Sequence, residues 1–168
     1  TYMKAQWELN KDSRIFFFFN STLRVTYGKV KGYAPKDATL YTSTTYLDGI
    51  MEKYIPGDYE FNVPSKLIDL YKTKNYGPYA ENGKMPVCFI ATNHTTGGNS
   101  GSPAIDAKGN LIGLNFDRVW EGTMSDIYYD PNICRNIMVD ARYILFIIDK
   151  YADAKNIISE LKLVHPKK

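Results

Sequence analysis

From residue 86 onward the apolar residues of this chain come in short runs, at 87–91, 102–105, 111–116 and 137–139, separated by Gly, Asn, Asp and Pro. Runs this short do not make a helical stripe. They fit strands joined by tight turns, so this half of the chain predicts a small antiparallel sheet or barrel. Asp106-Ala107-Lys108-Gly109-Asn110 is the predicted hairpin turn between the second and third runs. Residues 142–161 follow another period: Ile144, Ile148, Tyr151, Ile158 and Leu161 fall roughly on one helical face, with an interruption near Ala152. That face should pack on the barrel.

The first half is less regular. Ile15-Phe16-Phe17-Phe18-Phe19 is an abrupt apolar block that has to be buried against something. Leu23-Arg24-Val25-Thr26-Tyr27 alternates apolar and polar residues, the pattern of a half-buried strand, before Gly28, Gly32 and Pro35 punctuate it. Helical spacing returns at 47–54 (Leu47, Ile50, Met51, Tyr54) and at 65–72 (Leu67, Ile68, Tyr71), with Pro64 suited to the first turn of the second helix.

Composition narrows the function classes. At 168 residues and 44% hydrophobic, with fourteen Tyr and eight Phe, one domain can bury a core without disulfide staples. The 21 basic and 18 acidic residues leave a formal charge of +3, with no long basic stretch beyond Lys167-Lys168, which argues against a nucleic-acid partner. Cys88 and Cys134 lack zinc-site spacing and read as buried free thiols. Only His94 and His165 are present, so a histidine-rich metal site is not expected; nor is a cofactor expected. No apolar run approaches the roughly 18 residues that a membrane-spanning helix needs.

One turn in the predicted sheet carries chemistry. Thr96-Gly97-Gly98-Asn99-Ser100-Gly101-Ser102-Pro103 places a serine between glycines just before a strand. Glycine opens backbone conformations closed to other residues, so the hydroxyl of Ser100 can project while neighbouring N–H groups converge. Convergent donors are what an acyl-transfer oxyanion hole requires, and the N–H groups of Gly98 and Ser100 are the natural pair. The plain alternative is a Gly/Ser-rich turn that only joins two strands. A serine nucleophile also needs a base, usually a histidine held by a carboxylate. His94 lies on the same approach to the turn and His165 in a polar tail, and each reads as a solvated or locally hydrogen-bonded side chain.

Gly98-Asn99-Ser100-Gly101-Ser102-Pro103 is similar to the nucleophile motif of chymotrypsin-like serine peptidases, glutamyl endopeptidases included. Longer blocks resemble one family: Gly113-Leu114-Asn115-Phe116-Asp117-Arg118-Val119-Trp120-Glu121-Gly122, then Ser125-Asp126-Ile127, then the stretch from Val139-Asp140-Ala141-Arg142 to Asp149-Lys150. Together with Asn20-Ser21-Thr22-Leu23-Arg24-Val25-Thr26-Tyr27-Gly28 and Leu47-Asp48-Gly49-Ile50-Met51-Glu52-Lys53, they look like the C-terminal region of the S46 family of bacterial dipeptidyl peptidases. The similarity spans residues 20–161.

The resemblance implies a mainly β fold: the C-terminal half of a chymotrypsin-like double β-barrel, with short helices and a C-terminal α-helix. Residues 1–19 would end a preceding helical domain, and 20–168 would form the second catalytic barrel. Members of the family are longer and take their catalytic His and Asp from the N-terminal half, so a chain of these residues alone would be inactive. By the same resemblance Ser100 is the nucleophile, with Gly98 and Ser100 as oxyanion donors. Asp117 matches the carboxylate that holds the substrate's free α-amino group. Arg118 matches the position that selects the residue before the cleaved bond, where arginine marks the subgroup cutting after Asp or Glu. A guanidinium pairs bidentately with a carboxylate, and a charged hydrogen bond of that kind is worth roughly 1.5–3 kcal/mol. Phe116 would line the same groove, and Trp120 would serve as core or support. The implied partners are peptides with a free N-terminus and a second copy of the enzyme, in the periplasm or at the cell surface. Two rivals stand beside this reading: a glutamyl endopeptidase, which needs no free amino terminus, and a non-catalytic β-module.

Overall fold

The computed structural model of the chain describes residues 2–9 and 23–164. The Ile15–Phe19 block, Asn20 to Thr22 and His165 lie outside the described residues. A short helix, α1 (Tyr2–Leu9), comes first. Beyond residue 23 the framework is a five-stranded antiparallel sheet with short helices around it.

Its strands are β3 (Thr44–Tyr46), β4 (Pro86–Ala91), β5 (Pro103–Ile105), β6 (Leu111–Arg118) and β7 (Asn136–Asp140), in the spatial order β3-β4-β7-β6-β5. All four runs expected from residue 86 onward are strands. The β5–β6 connection is the expected hairpin turn: Asp106 accepts the backbone N–H groups of Lys108 and Asn110 at 2.8 and 2.9 Å, and Gly109 takes a left-handed φ of 84°. The two early helices also form, as α2 (Leu47–Glu52) and α3 (Ser65–Lys72), with Pro64 one position earlier than expected, at the N-cap of α3.

The first sixty residues differ from expectation in two places. No strand forms at 23–27, where Leu23, Val25 and Tyr27 are exposed. Alternation marks a half-buried face only where another element covers its apolar side chains, and these three stay open, although Asn93 donates to the Thr26 carbonyl at 3.1 Å. Instead a small hairpin, β1 (Tyr33–Lys36) with β2 (Thr39–Tyr41), follows Gly32, and Pro35 sits inside β1, where a two-stranded ribbon tolerates it. Arg135 fastens this hairpin to the sheet. Its buried guanidinium donates to the carbonyls of Lys31, Gly32, Pro131, Asn132 and Cys134 and lies against the ring of Tyr33.

The main core fills the space between the sheet and the helices. Leu47, Val63, Leu67, Leu70, Tyr76, Tyr79, Met85, Val87 and Phe146 are its buried members. A smaller cluster, Phe89, Ala91 and Met138 with Ala104 and Ile112, lies under the strands that lead to the glycine-rich turn. Gly113 belongs to this second region for a steric reason: a Cβ there would lie 2.5 Å from the Val139 carbonyl oxygen and 2.8 Å from a Phe89 ring carbon. Gly113→Ala is therefore expected to destabilise the fold by roughly 1–3 kcal/mol. Gly49→Ala in α2, where a Cβ meets nothing within 4 Å, should be neutral or slightly stabilising. Urea midpoints of the two variants check the contrast.

The C-terminal helix begins directly from β7. Asp140 ends the strand and caps α4 (Ala141–Phe146), accepting the Arg142 N–H at 2.8 Å, while the Arg142 guanidinium bonds both Asp140 oxygens and reaches Glu81. A π-turn over Ile147–Tyr151 continues α4, and α5 (Lys155–Glu160) follows a break at which Asp153 takes φ 53°. The interruption expected near Ala152 is this break. No helix among the described residues is long and apolar enough to cross a membrane.

Candidate active site

The turn before β5 is closed by its own polar groups. Thr96 N–H donates to the Asn99 side-chain oxygen at 2.9 Å, and Asn99 N–H returns to the Thr96 carbonyl at 3.2 Å. Gly98 and Gly101 have φ of 95° and 82°, and at Gly101 the requirement is conformational, since a Cβ would meet nothing within 4 Å. Ser100 is exposed at the crest. Among the described residues, neither its hydroxyl nor the N–H groups of Gly98 and Ser100 have a hydrogen-bond partner. The turn thus offers a bare hydroxyl and two unengaged main-chain donors.

Side-chain amides tie this turn to the centre of the sheet. Asn136, fully buried on β7, donates to the Asn115 side-chain oxygen at 3.0 Å, and Asn115 donates to the Asn99 carbonyl at 3.2 Å. Gly101 N–H also donates to the Asn115 carbonyl at 2.7 Å, so the turn lies alongside the part of β6 that follows Asn115. There β6 bulges against β7: Asn115 opposes Met138 and Asp117 opposes Ile137, leaving Phe116 as the extra residue. A bulge breaks the in-and-out alternation. Phe116 and Asp117 are consequently both exposed, although they are neighbours in a strand. The Asp117 carboxylate accepts the Arg118 N–H at 2.7 Å.

Arg118 is half-buried and already paired. Its Nη1 donates to Ser125 Oγ at 2.8 Å and Asp126 Oδ1 at 2.9 Å, and its Nη2 to Asp126 Oδ2 at 2.8 Å. The Arg118 guanidinium holds the Asp126 carboxyl below the ordinary carboxylate range. Asp126 carries no motif of its own. The 3-10 segment Trp120–Asp126 folds it back onto β6, and the signal in the sequence was an opposite charge one short loop beyond the arginine.

The remaining expectations divide. Trp120 is 84% exposed and is neither core nor support, because it opens the 3-10 segment where β6 leaves the sheet. His94 is buried, not solvated, and its partner is not local: Nε2 lies 2.8 Å from the Ser125 carbonyl, and its ring lies against Tyr129. Cys88 and Cys134 are both free; Cys134 is buried, and Cys88 is half-buried with burial raising its thiol pKa. His94, Arg118, Ser125 and Asn136 line a small polar cavity with room for about one water, too small for a peptide.

The family description Peptidase S46 matches residues 1–163. The chain belongs to the peptidase S46 family. This S46 chain is 78% identical over 167 residues to an Asp/Glu-specific dipeptidyl-peptidase of Flavobacterium psychrophilum, covering 99% of this chain and 23% of that protein. It is 68% identical over 166 residues to the Asp/Glu-specific dipeptidyl-peptidase of Capnocytophaga gingivalis, covering 98% and 23%. The crystal structure of Porphyromonas endodontalis DPP11 in complex with the dipeptide Arg-Asp superposes with a TM-score of 0.80 at 54% identity, covering 82% of this chain and 20% of that one. The S46 chain thus spans about a quarter of the length of the curated relatives it matches.

Proposed function

We propose that these residues supply the nucleophile-bearing half of a longer serine peptidase, of chymotrypsin-like architecture, that releases dipeptides ending in Asp or Glu from free N-termini. One juxtaposition carries the reading: the unengaged hydroxyl and main-chain donors of the turn around Ser100 lie alongside the bulged end of β6, which exposes Phe116 and Asp117 and carries Arg118. The identity to Asp/Glu-specific dipeptidyl-peptidases supports it.

In this mechanism Ser100 Oγ attacks the carbonyl of the second peptide bond, and the N–H groups of Gly98 and Ser100 receive the negative charge that develops on its oxygen. Asp117 accepts the substrate's ammonium, and this fixed end sets the cut two residues in. Phe116 covers the apolar side of the groove. Arg118 bonds the acidic side chain. The base that takes the Ser100 proton is a histidine held by an aspartate, both supplied by the rest of the longer protein. The His94 ring is committed to the Ser125 carbonyl instead. Residues 1–168 alone are then inactive, and the whole enzyme works as a dimer in the periplasm or at the cell surface.

Dipeptidyl reporters ending in Asp, Glu, Leu or Lys, offered to the full-length protein, test the reading. The Asp and Glu reporters should turn over fastest, and N-acetylation should abolish their cleavage. Arg118→Gly should lower kcat/KM for them by about 10- to 150-fold, the worth of a charged hydrogen bond. Equal cleavage of acetylated substrate would make the enzyme an endopeptidase. Faster turnover of Leu or Lys would remove the specificity.

A further inference from the structure

A guanidinium carries five N–H donors in a fixed planar fork. In Arg118 both Nη1 donors are taken, one by Ser125 Oγ and one by Asp126 Oδ1, and one Nη2 donor is taken by Asp126 Oδ2. What remains is the Nε–H and the second Nη2–H. These two point from the same edge of the plane, at the spacing of the two oxygens of a carboxylate. Among the described residues neither has an acceptor.

The groups that hold the other edges are themselves held. Ser125 is buried, and its carbonyl faces His94 Nε2 at 2.8 Å. Gly122 N–H donates to the Val119 carbonyl at 2.9 Å and Ile127 N–H to the Met124 carbonyl at 2.9 Å, closing the segment that carries Ser125 and Asp126. Tyr129, whose ring lies against His94, donates its hydroxyl to the Thr92 carbonyl. A carboxylate on a segment pinned in this way is a fixed strut, unlike one on a loose loop that swings in when substrate is absent.

We infer that Asp126, assisted by Ser125, is a specificity-determining positioning residue: it clamps the outer edge of Arg118 so that the Nε/Nη2 edge faces the acidic side chain of the substrate. This rests on the role given to Arg118 under the proposed function. The clamp has a chemical consequence. Asp126 neutralises much of the guanidinium charge, so selection depends on two parallel, oriented hydrogen bonds more than on attraction of any anion. A substrate Asn or Gln offers one acceptor and sets its NH₂ against an N–H, so that donor faces donor and the side chain is rejected.

Two variants separate orientation from charge, both made in the full-length protein and read as kcat/KM on an Asp reporter and a Leu reporter. Asp126→Asn keeps the shape, removes the charge and leaves one acceptor; Asp126→Ala removes the clamp. If orientation governs, Asp-reporter turnover falls about tenfold or more in Asp126→Ala and by less in Asp126→Asn, while the Leu reporter stays within about twofold. Unchanged or faster Asp-reporter turnover overturns the inference, the second outcome making Asp126 an internal competitor for Arg118. A parallel fall on both reporters also overturns it, assigning Asp126 a general structural role. Arg118→Gly in the same assay keeps the two proposals apart: if it leaves Asp-reporter turnover intact, the pocket assignment itself has failed, whatever Asp126 does.

Discussion

Ser100→Ala in the full-length peptidase should lower kcat on an Asp reporter by about 10⁴- to 10⁶-fold, as removal of an activated serine does elsewhere. The fold should not notice. The Ser100 hydroxyl has no hydrogen-bond partner among the described residues, so its removal leaves no group unsatisfied. The turn keeps every contact that closes it: Thr96 with Asn99, Gly101 with the Asn115 carbonyl, and the Asn115 amide on the Asn99 carbonyl. Stability should stay within about 0.5 kcal/mol of the parent. Labelling by a fluorophosphonate should vanish with the hydroxyl. Retained turnover, or a label that survives at another residue, would move the nucleophile away from this turn. Labelling of the 168-residue chain by itself would contradict the claim that the base lies elsewhere.

The second large effect is on stability. Phe146→Ala should destabilise the fold by about 3–5 kcal/mol, the range for emptying a closed core site of an aromatic ring. Phe146 has no exposed surface and sits where α4 passes into the π-turn. Its ring meets Tyr76 edge-on, with centroids 5.8 Å apart, and Tyr143 at 6.1 Å. Tyr143 belongs to the same helix, but Tyr76 and the other buried members of this cluster come from distant parts of the chain, so the hole cannot close by a local shift. Urea denaturation followed by tyrosine fluorescence gives the value, with Tyr59→Ala as the control. Tyr59 is 99% exposed, and its loss should change stability by less than about 0.5 kcal/mol. A Phe146→Ala loss below about 1 kcal/mol would mean that this core is not the one that holds the helices to the sheet.

The parts of the fold that were legible in the sequence share one property: their apolar period coincides with real burial. The runs in β4, β6 and β7 and the helical spacing of Leu67, Ile68 and Tyr71 each face a partner surface, so pattern and structure agree, although the buried Leu70 lay outside that spacing. Leu23 to Tyr27 has an equally regular pattern, but Leu23, Val25 and Tyr27 stay exposed and the Asn93 side-chain amide on the Thr26 carbonyl is not a strand ladder, so no strand results. The β1–β2 hairpin has the opposite character. It is short, and what holds it is the buried Arg135 beside Tyr33 together with the Tyr33 hydroxyl on Glu121, long-range contacts that no local pattern announces. At the candidate site the nucleophile turn was readable because glycine chemistry is local, and Gly98 and Gly101 take the left-handed conformations that such a turn demands. The partner of Arg118 was not readable. Asp126 reaches the guanidinium only after a 3-10 segment has reversed the chain, and the bulge that exposes Phe116 beside Asp117 depends on register with β7.

The amide relay from Asn136 through Asn115 ends on the main-chain carbonyl one residue before the proposed nucleophile. The placement of that alcohol is therefore governed from deep within the sheet, by a strand no peptide would touch. Changes buried around Asn136 should surface as slower acylation as well as a lower melting temperature, so a screen that scores only thermal survival would not reveal how much aim a surviving enzyme has lost.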